Sequence, residues 1–286
     1  MNALLISAVV VFMTGQGMFG KNYTIKNGGR GVFVYSCISC LAAAIMFIVT
    51  SGGKLNFTPE FMVYSLGFAI AYSSCGIFNL MAVKIGSLAL TSLVTSYSLI
   101  IPTLCGIILY NDPVSKFLVT GLILLGISIA FVNFPSKNDG ALKISFRWAL
   151  YALITFVANG FCSTVQQIQQ KTFDGGYGKE FMIVALLMSA LVAGIAALLC
   201  ERKDIKDCVK NGGMYALCSG GLNAFVNLFV MILVMNMNAS VFFPLISVGG
   251  IVCTVIVSTF IYKERLSLMQ IAGFVFGLGA IVFLNM

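Results

Sequence analysis

Along the chain, apolar stretches alternate with short clusters of glycine, asparagine and charged residues. Each stretch approaches the roughly 20 residues that carry a helix across a bilayer. Cutting at the clusters leaves apolar segments at approximately 3–20, 31–51, 61–83, 87–109, 115–134, 147–170, 181–200, 212–235, 239–261 and 267–285. The pattern predicts an all-α membrane protein with ten transmembrane helices and very short connectors. The start, MNALLISAVVVFMTG, has neither a basic leading region nor a small-x-small cleavage site, so it reads as the first span rather than a removable signal.

The longest central connector, PSKNDGALKIS at 135–145, combines proline, glycine and mixed charge and divides the chain into five-span halves, residues 1–136 and 144–286. A shift of 152 residues lays the fourth connector on the ninth, pairing Tyr110 with Tyr262, Asp112 with Glu264, Ser115 with Ser267 and Gly121 with Gly273. A shift of 150 pairs the first and sixth helices, setting Thr14 on Thr164, Gln16 on Gln166 and Lys21 on Lys171. A repeat with an odd number of spans enters the membrane from opposite sides in its two copies. The expected architecture is therefore two inverted five-helix repeats, an arrangement used by transporters.

Composition agrees: 59% of residues are hydrophobic and 9% charged, with mean hydropathy +1.02, against roughly 25% charged in soluble domains. The net charge of +8 sits in connectors, where it sets topology and gives no reason to expect a nucleic-acid partner. Connectors after helices 1, 3, 5, 7 and 9 carry most of the 17 lysines and arginines, which places those loops in the cytoplasm and both termini outside. The nine cysteines mostly lie within apolar runs, and the CxxC of Cys37 and Cys40 falls inside a span, where thiols pack as small hydrophobes. With no histidine and no metal-ligand cluster, neither a metal nor a cofactor is expected.

Both halves close with a Tyr-x-acid-x-x-Ser connector followed by a helix glycine, as YKERLSLMQIAGFVFGLGAIVF (262–283) and the looser YNDPVSKFLVTGLILLGISIAF (110–131). On these features the whole chain resembles the EamA-type transporters of the drug/metabolite transporter superfamily. The resemblance implies the ten-helix fold and membrane transport, and leaves the substrate open. Members are usually drawn with both termini in the cytoplasm, against the charge count. Small multidrug exporters of that superfamily couple to protons through a glutamate in the first helix, whereas LLISAVVVFMTGQG has no acid. All nine carboxylates of this chain lie in or next to connectors.

A charge at mid-bilayer costs about 2.5–3.5 kcal/mol even on lenient scales. Its avoidance in every span points to a neutral or zwitterionic solute held by hydrogen bonds. Helical spacing nominates the groups. In the sixth span Asn159, Ser163, Gln166 and Gln170 form one stripe, while Gln167 and Gln169 fall off its centre line. The eighth offers Asn223 and Asn227 below Ser219, the third Tyr72 and Asn79, and the fourth Thr95 with Thr91 and Ser98. Gln16 in the first span and Ser247 in the ninth complete the candidate substrate-binding set. The same side chains also tie neighbouring helices together, so each either lines a cavity or packs. Counting from Trp148 places Gln169, Gln170 and Lys171 at the membrane interface and Gln166 one turn inside.

These readings converge on a secondary carrier of the cell membrane, multi-pass, moving a small polar neutral or zwitterionic metabolite (amino-acid-like or sugar-like) by alternating access. Its expected partners are the solute and the lipid bilayer; coupling to an ion gradient is left open, as is a monomer or a homodimer. A multidrug exporter and a non-transporting scaffold or sensor are the alternatives. An enzyme is not expected, since no histidine, buried carboxylate pair or metal cluster is present.

Overall fold

A computed structural model describes residues 2–53, 55–112, 117, 120, 121, 123, 124, 127, 128, 131, 145–263 and 268–285. The regular elements among the described residues are all helical: α1 (Asn2–Lys26), α2 (Val32–Ser51), α3 (Met62–Ile85), α4 (Leu88–Tyr97), α5 (Ile100–Tyr110), α6 (Phe146–Thr172), α7 (Gly178–Cys200), α8 (Ile205–Asn236), α9 (Ala239–Phe260) and α10 (Leu268–Asn285). Eight helical stretches among them are long and apolar enough to cross a membrane, α4 and α5 counting together as one at Leu88–Tyr110. The chain is a multi-pass membrane protein. The expected fifth span, 115–134, falls mostly outside the described residues, although its described positions between Thr120 and Phe131 are helical.

Two expectations change. The fourth span is not one helix but two, interrupted at Ser98 and Leu99. Ser98 turns its hydroxyl back onto the Thr95 carbonyl, and Pro102, in the first turn of α5, cannot donate a backbone hydrogen bond. The second change is at α8, which starts at Ile205 rather than near residue 212. Its charged first turns remain helical because Cys208, 2% exposed, packs with Tyr23, Val32, Val34 and Ala197. The connector before it is tied down as well: the Glu201 carboxylate accepts from the Phe33 and Val34 amides at the start of α2, and Arg30 pairs with Asp204 at 2.7 Å. A carboxylate there satisfies helix donors that no capping side chain of α2 itself reaches.

Helix α1 packs on α8 and α9, and α6 packs on α3 and on α4 with α5. Between them α2 lies against α7 and α8, α3 against α7, and α4 with α5 against α9, while α10 covers α9. Lipid tails are as apolar as leucine, so close van der Waals fit must hold these helices together. Gly220 shows how: a Cβ there would collide with the Ser39 carbonyl, so α2 and α8 meet backbone to backbone. The densest packing is around Phe47, Phe68, Phe181 and Met182, all essentially without exposure. Leu4, Val63, Ile70, Ile108 and Leu199 instead face outward on different helices, as side chains wetted by lipid do.

Candidate functional site

The interrupted span and the small residues around it leave a cavity of about 210 Å³ at the centre of the bundle. Eight helices line it, from Met13–Gly20 of α1 through parts of α2, α3, α4, α6, α7 and α8 to Gly250 and Thr254 of α9. Its walls come from the later halves of α1 and α3 and the first half of α2. The cavity therefore occupies the side of the bundle that carries the α1–α2 and α3–α4 turns. Spacing explains the exposure of the wall: Met13, Gln16, Gly17 and Gly20 fall on one face of α1, and Tyr72, Cys75, Gly76, Asn79 and Val83 on one face of α3. Among the described residues, no lysine, arginine, aspartate or glutamate lines it.

Of the ten candidate residues, Gln16, Tyr72, Asn79, Thr95, Asn159 and Asn223 line this cavity. Gln16 Nε2 is buried without a hydrogen-bond partner, and so is the hydroxyl of Ser73 across from it on α3. Tyr72 lies with its ring stacked on Phe68 at 5.4 Å. Asn159 is more occupied: its Nδ2 donates to Ser98 Oγ at 2.7 Å and its Oδ1 accepts from the Cys75 thiol at 3.7 Å. That one amide ties α6 to both α3 and the break between α4 and α5.

Ser163, Gln166, Asn227 and Ser247 lie outside the lining. Ser247 donates to the Ser96 and Phe243 carbonyls, joining α9 to α4. Gln166, 3% exposed, donates to the Asn227 carbonyl at 3.2 Å. Asn227 in turn donates to the carbonyl and to Oδ1 of Asn223, so its amide orients a cavity residue from one turn away. Ser163 is half-buried on α6 between these groups.

The end of α6 is covered by the protein itself. Gln166, Gln167, Gln169 and Gln170 are all buried within the protein. Gln169 Nε2 reaches the Gly176 carbonyl at 3.0 Å and Gln170 donates to Gln169, so the returning turn at residues 173–177 covers this end. Gln167, fully buried, has no partner at either amide atom and faces Gly106 of α5. Beside Gly106, the Asp112 carboxylate accepts from the Ala239 amide at the start of α9. The residues that follow Asp112, from Pro113 to Lys116, lie outside the described part.

Sequence reasoning passed over Tyr35, Ser36, Ser39 and Cys40 of α2, together with Ser189 of α7. Tyr35 donates to Ser219 of α8 at 2.7 Å. The signal was present as a two-residue-wide polar face at 35, 36, 39 and 40, hidden by the CxxC spacing. Cys37 and Cys40 are both free, the first on the outer surface between α2 and α7 and the second in the cavity wall. Among the described residues no group of three histidine, cysteine or acidic side chains could hold a metal.

Among the described residues, charge meets the cavity at its rim. Lys21 donates to the carbonyls of Val83 and Gly86, and Tyr262 donates to Met18 and to Asn22 Oδ1. At the opposite end of the bundle Lys171 sits over the Tyr110 ring, 5.9 Å from its centre.

Residues 146–286 match the EamA-like transporter family. No curated protein matches the chain in sequence. Among solved structures, a protein crystal structure 12% identical to this chain superposes with a TM-score of 0.67 over 99% of this chain and 95% of that one. At that identity the likeness concerns the fold alone.

Proposed function

We propose that the chain, whose residues 146–286 match the EamA-like transporter family, is a membrane transporter of the drug/metabolite type and a ten-helix secondary carrier. Its two inverted repeats, 1–136 and 144–286, rock about the central cavity and carry a small polar, neutral or zwitterionic metabolite across the cell membrane. Helix contacts support the repeat. Exchanging each span with the one five positions on turns the packing of α1 on α8 and α9 into that of α6 on α3 and α4–α5, and leaves the α2–α7 and α4/α5–α9 contacts in place. The aligned tyrosines follow the same exchange, Tyr262 meeting the end of α1 and Tyr110 the end of α6.

The observation that carries this reading is an uncharged cavity built by both halves, with the Gln16 amide and Ser73 hydroxyl buried beside it and unpaired. A buried polar atom without a partner costs about 1–3 kcal/mol, which a bound solute would offset. The volume, about 210 Å³, is below the roughly 300–1,000 Å³ of drug-sized sites, and the wall has no carboxylate for a lipophilic cation. The test is solute uptake into proteoliposomes. Saturable uptake that Asn79→Ala or Asn223→Ala lowers at least tenfold, with unchanged gel-filtration behaviour, is the expected result. Proton-driven accumulation of a lipophilic cation would favour a multidrug exporter. No flux above that of empty vesicles for any solute would leave a scaffold or sensor.

A further inference from the structure

The hydrogen-bonding valence of the cavity wall narrows the solute. Four lining hydroxyls spend their protons on backbone carbonyls: Thr14 on Val10 at 2.9 Å, Ser36 on Val32 at 3.0 Å, Thr95 on Thr91 at 2.9 Å, and Ser189 on Ala185 at 2.9 Å. A hydroxyl so engaged presents only oxygen lone pairs, and can do nothing for a solute but accept. Against these acceptors stand the donors of the wall, the Asn79 and Asn223 amides and the Tyr72 hydroxyl, with Gln16 Nε2 and Ser73 Oγ buried and unpaired among them. A solute that matches both must bring several O–H donors and also oxygen acceptors.

A zwitterion fits this wall poorly. Its carboxylate and ammonium would leave water for a space where no described lining residue carries a charge, and an uncompensated buried charge costs several kcal/mol. Helix starts often hold anions through free amides. Helices α4 and α5 both begin beside the cavity: at α4 the Ser87 side chain already accepts from the Leu90 amide, and at Leu99 and Ile100 Pro102 has no N–H and the Ile101 and Thr103 amides bond to the Ser98 and Leu99 carbonyls.

We infer that the solute is an uncharged polyhydroxylated molecule, a monosaccharide or a polyol, rather than an amino acid. The inference rests on the cavity being the substrate site of the proposed carrier. The ring of Tyr72, backed by Phe68, supplies the apolar surface that the C–H face of such a molecule needs. Gln16 and Ser73 are then the residues that read its oxygens.

The test titrates the purified full chain with pentoses, hexoses and hexitols, and in parallel with serine, glutamine, betaine and an alkylammonium ion, following thermal stability and calorimetric binding. Saturable stabilisation by at least one neutral polyol is expected, weakened at least tenfold in Gln16→Leu and in Ser73→Ala, each of which keeps its unliganded melting temperature. Affinity should be flat between about pH 5 and 7.5, since the lining has no carboxylate or histidine and ordinary thiols and phenols titrate higher. Saturation by amino acids or ions alone, or by none of the probes, overturns the inference. Proteoliposome flux keeps the two readings apart. Polyol binding without flux would sink the carrier and leave the solute class standing, whereas amino-acid flux would keep the carrier and sink the class.

Discussion

Gln16 of α1 and Gln166 of α6 occupy paired positions in the proposed inverted repeat, yet they stand in opposite conditions. Gln16 faces the cavity with its Nε2 unpaired, whereas Gln166 is shut inside the protein and bonded to the Asn227 carbonyl. The fourth spans of the two halves differ in the same sense. α4 and α5 are broken at Ser98, while α9 runs unbroken through its aligned glycines, Gly249 and Gly250. Identical chemistry therefore serves access at one end of the bundle and closure at the other. An alternating carrier needs such a pair, because the contact closed in one state must be the contact open in the next. In the proposed carrier the Gln166–Asn227 bond is the closed contact and Gln16 its counterpart.

Breaking the closed member should have the larger effect on stability. Gln166→Leu removes the bond to Asn227 and should lower unfolding stability by about 1–2 kcal/mol, read as a fall in melting temperature in detergent. Asn159→Ala should follow at about 0.6–1.7 kcal/mol, the range of interhelical hydrogen bonds in membranes. It should also slow transport, because the break between α4 and α5 loses its tie to α6. Gln16→Leu should not lower unliganded stability while abolishing most solute affinity, since its Nε2 has no bond to lose. A loss of stability equal to that of Gln166→Leu would erase the contrast between the two glutamines. Smallest of all, Gln167→Leu should be neutral or raise stability slightly, because both atoms of that amide are buried without partners.

A chemical probe sharpens the same contrast. Cys40 lies in the cavity wall and Cys37 on the outer surface. In single-cysteine versions of the protein, bound solute should slow maleimide labelling of Cys40 several-fold and leave Cys37 unchanged. Equal protection at both positions would place the solute elsewhere.

Much of this was legible in the residue order. Hydropathy alone located nine of the helical spans to within a few residues, apart from the early start of α8, because a backbone in lipid has few alternatives to a helix. The absence of charge from the cavity could likewise be read from where carboxylates and bases are missing. The break at Ser98 was not legible: the run LALTSLVTSYSLIIPTLCG carries no charge and hydropathy reads it as one span, and the Asn159 amide that holds Ser98 comes from a helix about 60 residues away. The helical first turns of α8 were hidden for a similar reason, since their charged residues conceal a buried face that only Tyr23 and Val34 reveal.

What the sequence determined by itself was the kind of protein and its chemistry: apolar spans, connectors that carry the charge, and amides and hydroxyls in place of ions within the membrane. Spacing on a single helix could group Asn159, Ser163 and Gln166 on one stripe, but could not say where along that stripe the cavity ends. Only the packing of α6 against its neighbours decided that Asn159 borders the cavity, bonded to Ser98 and Cys75, while Gln166 meets a carbonyl. The physical reason is that a polar atom in lipid must find a partner wherever one lies within reach. Reach is set by neighbouring helices, not by neighbours in the chain.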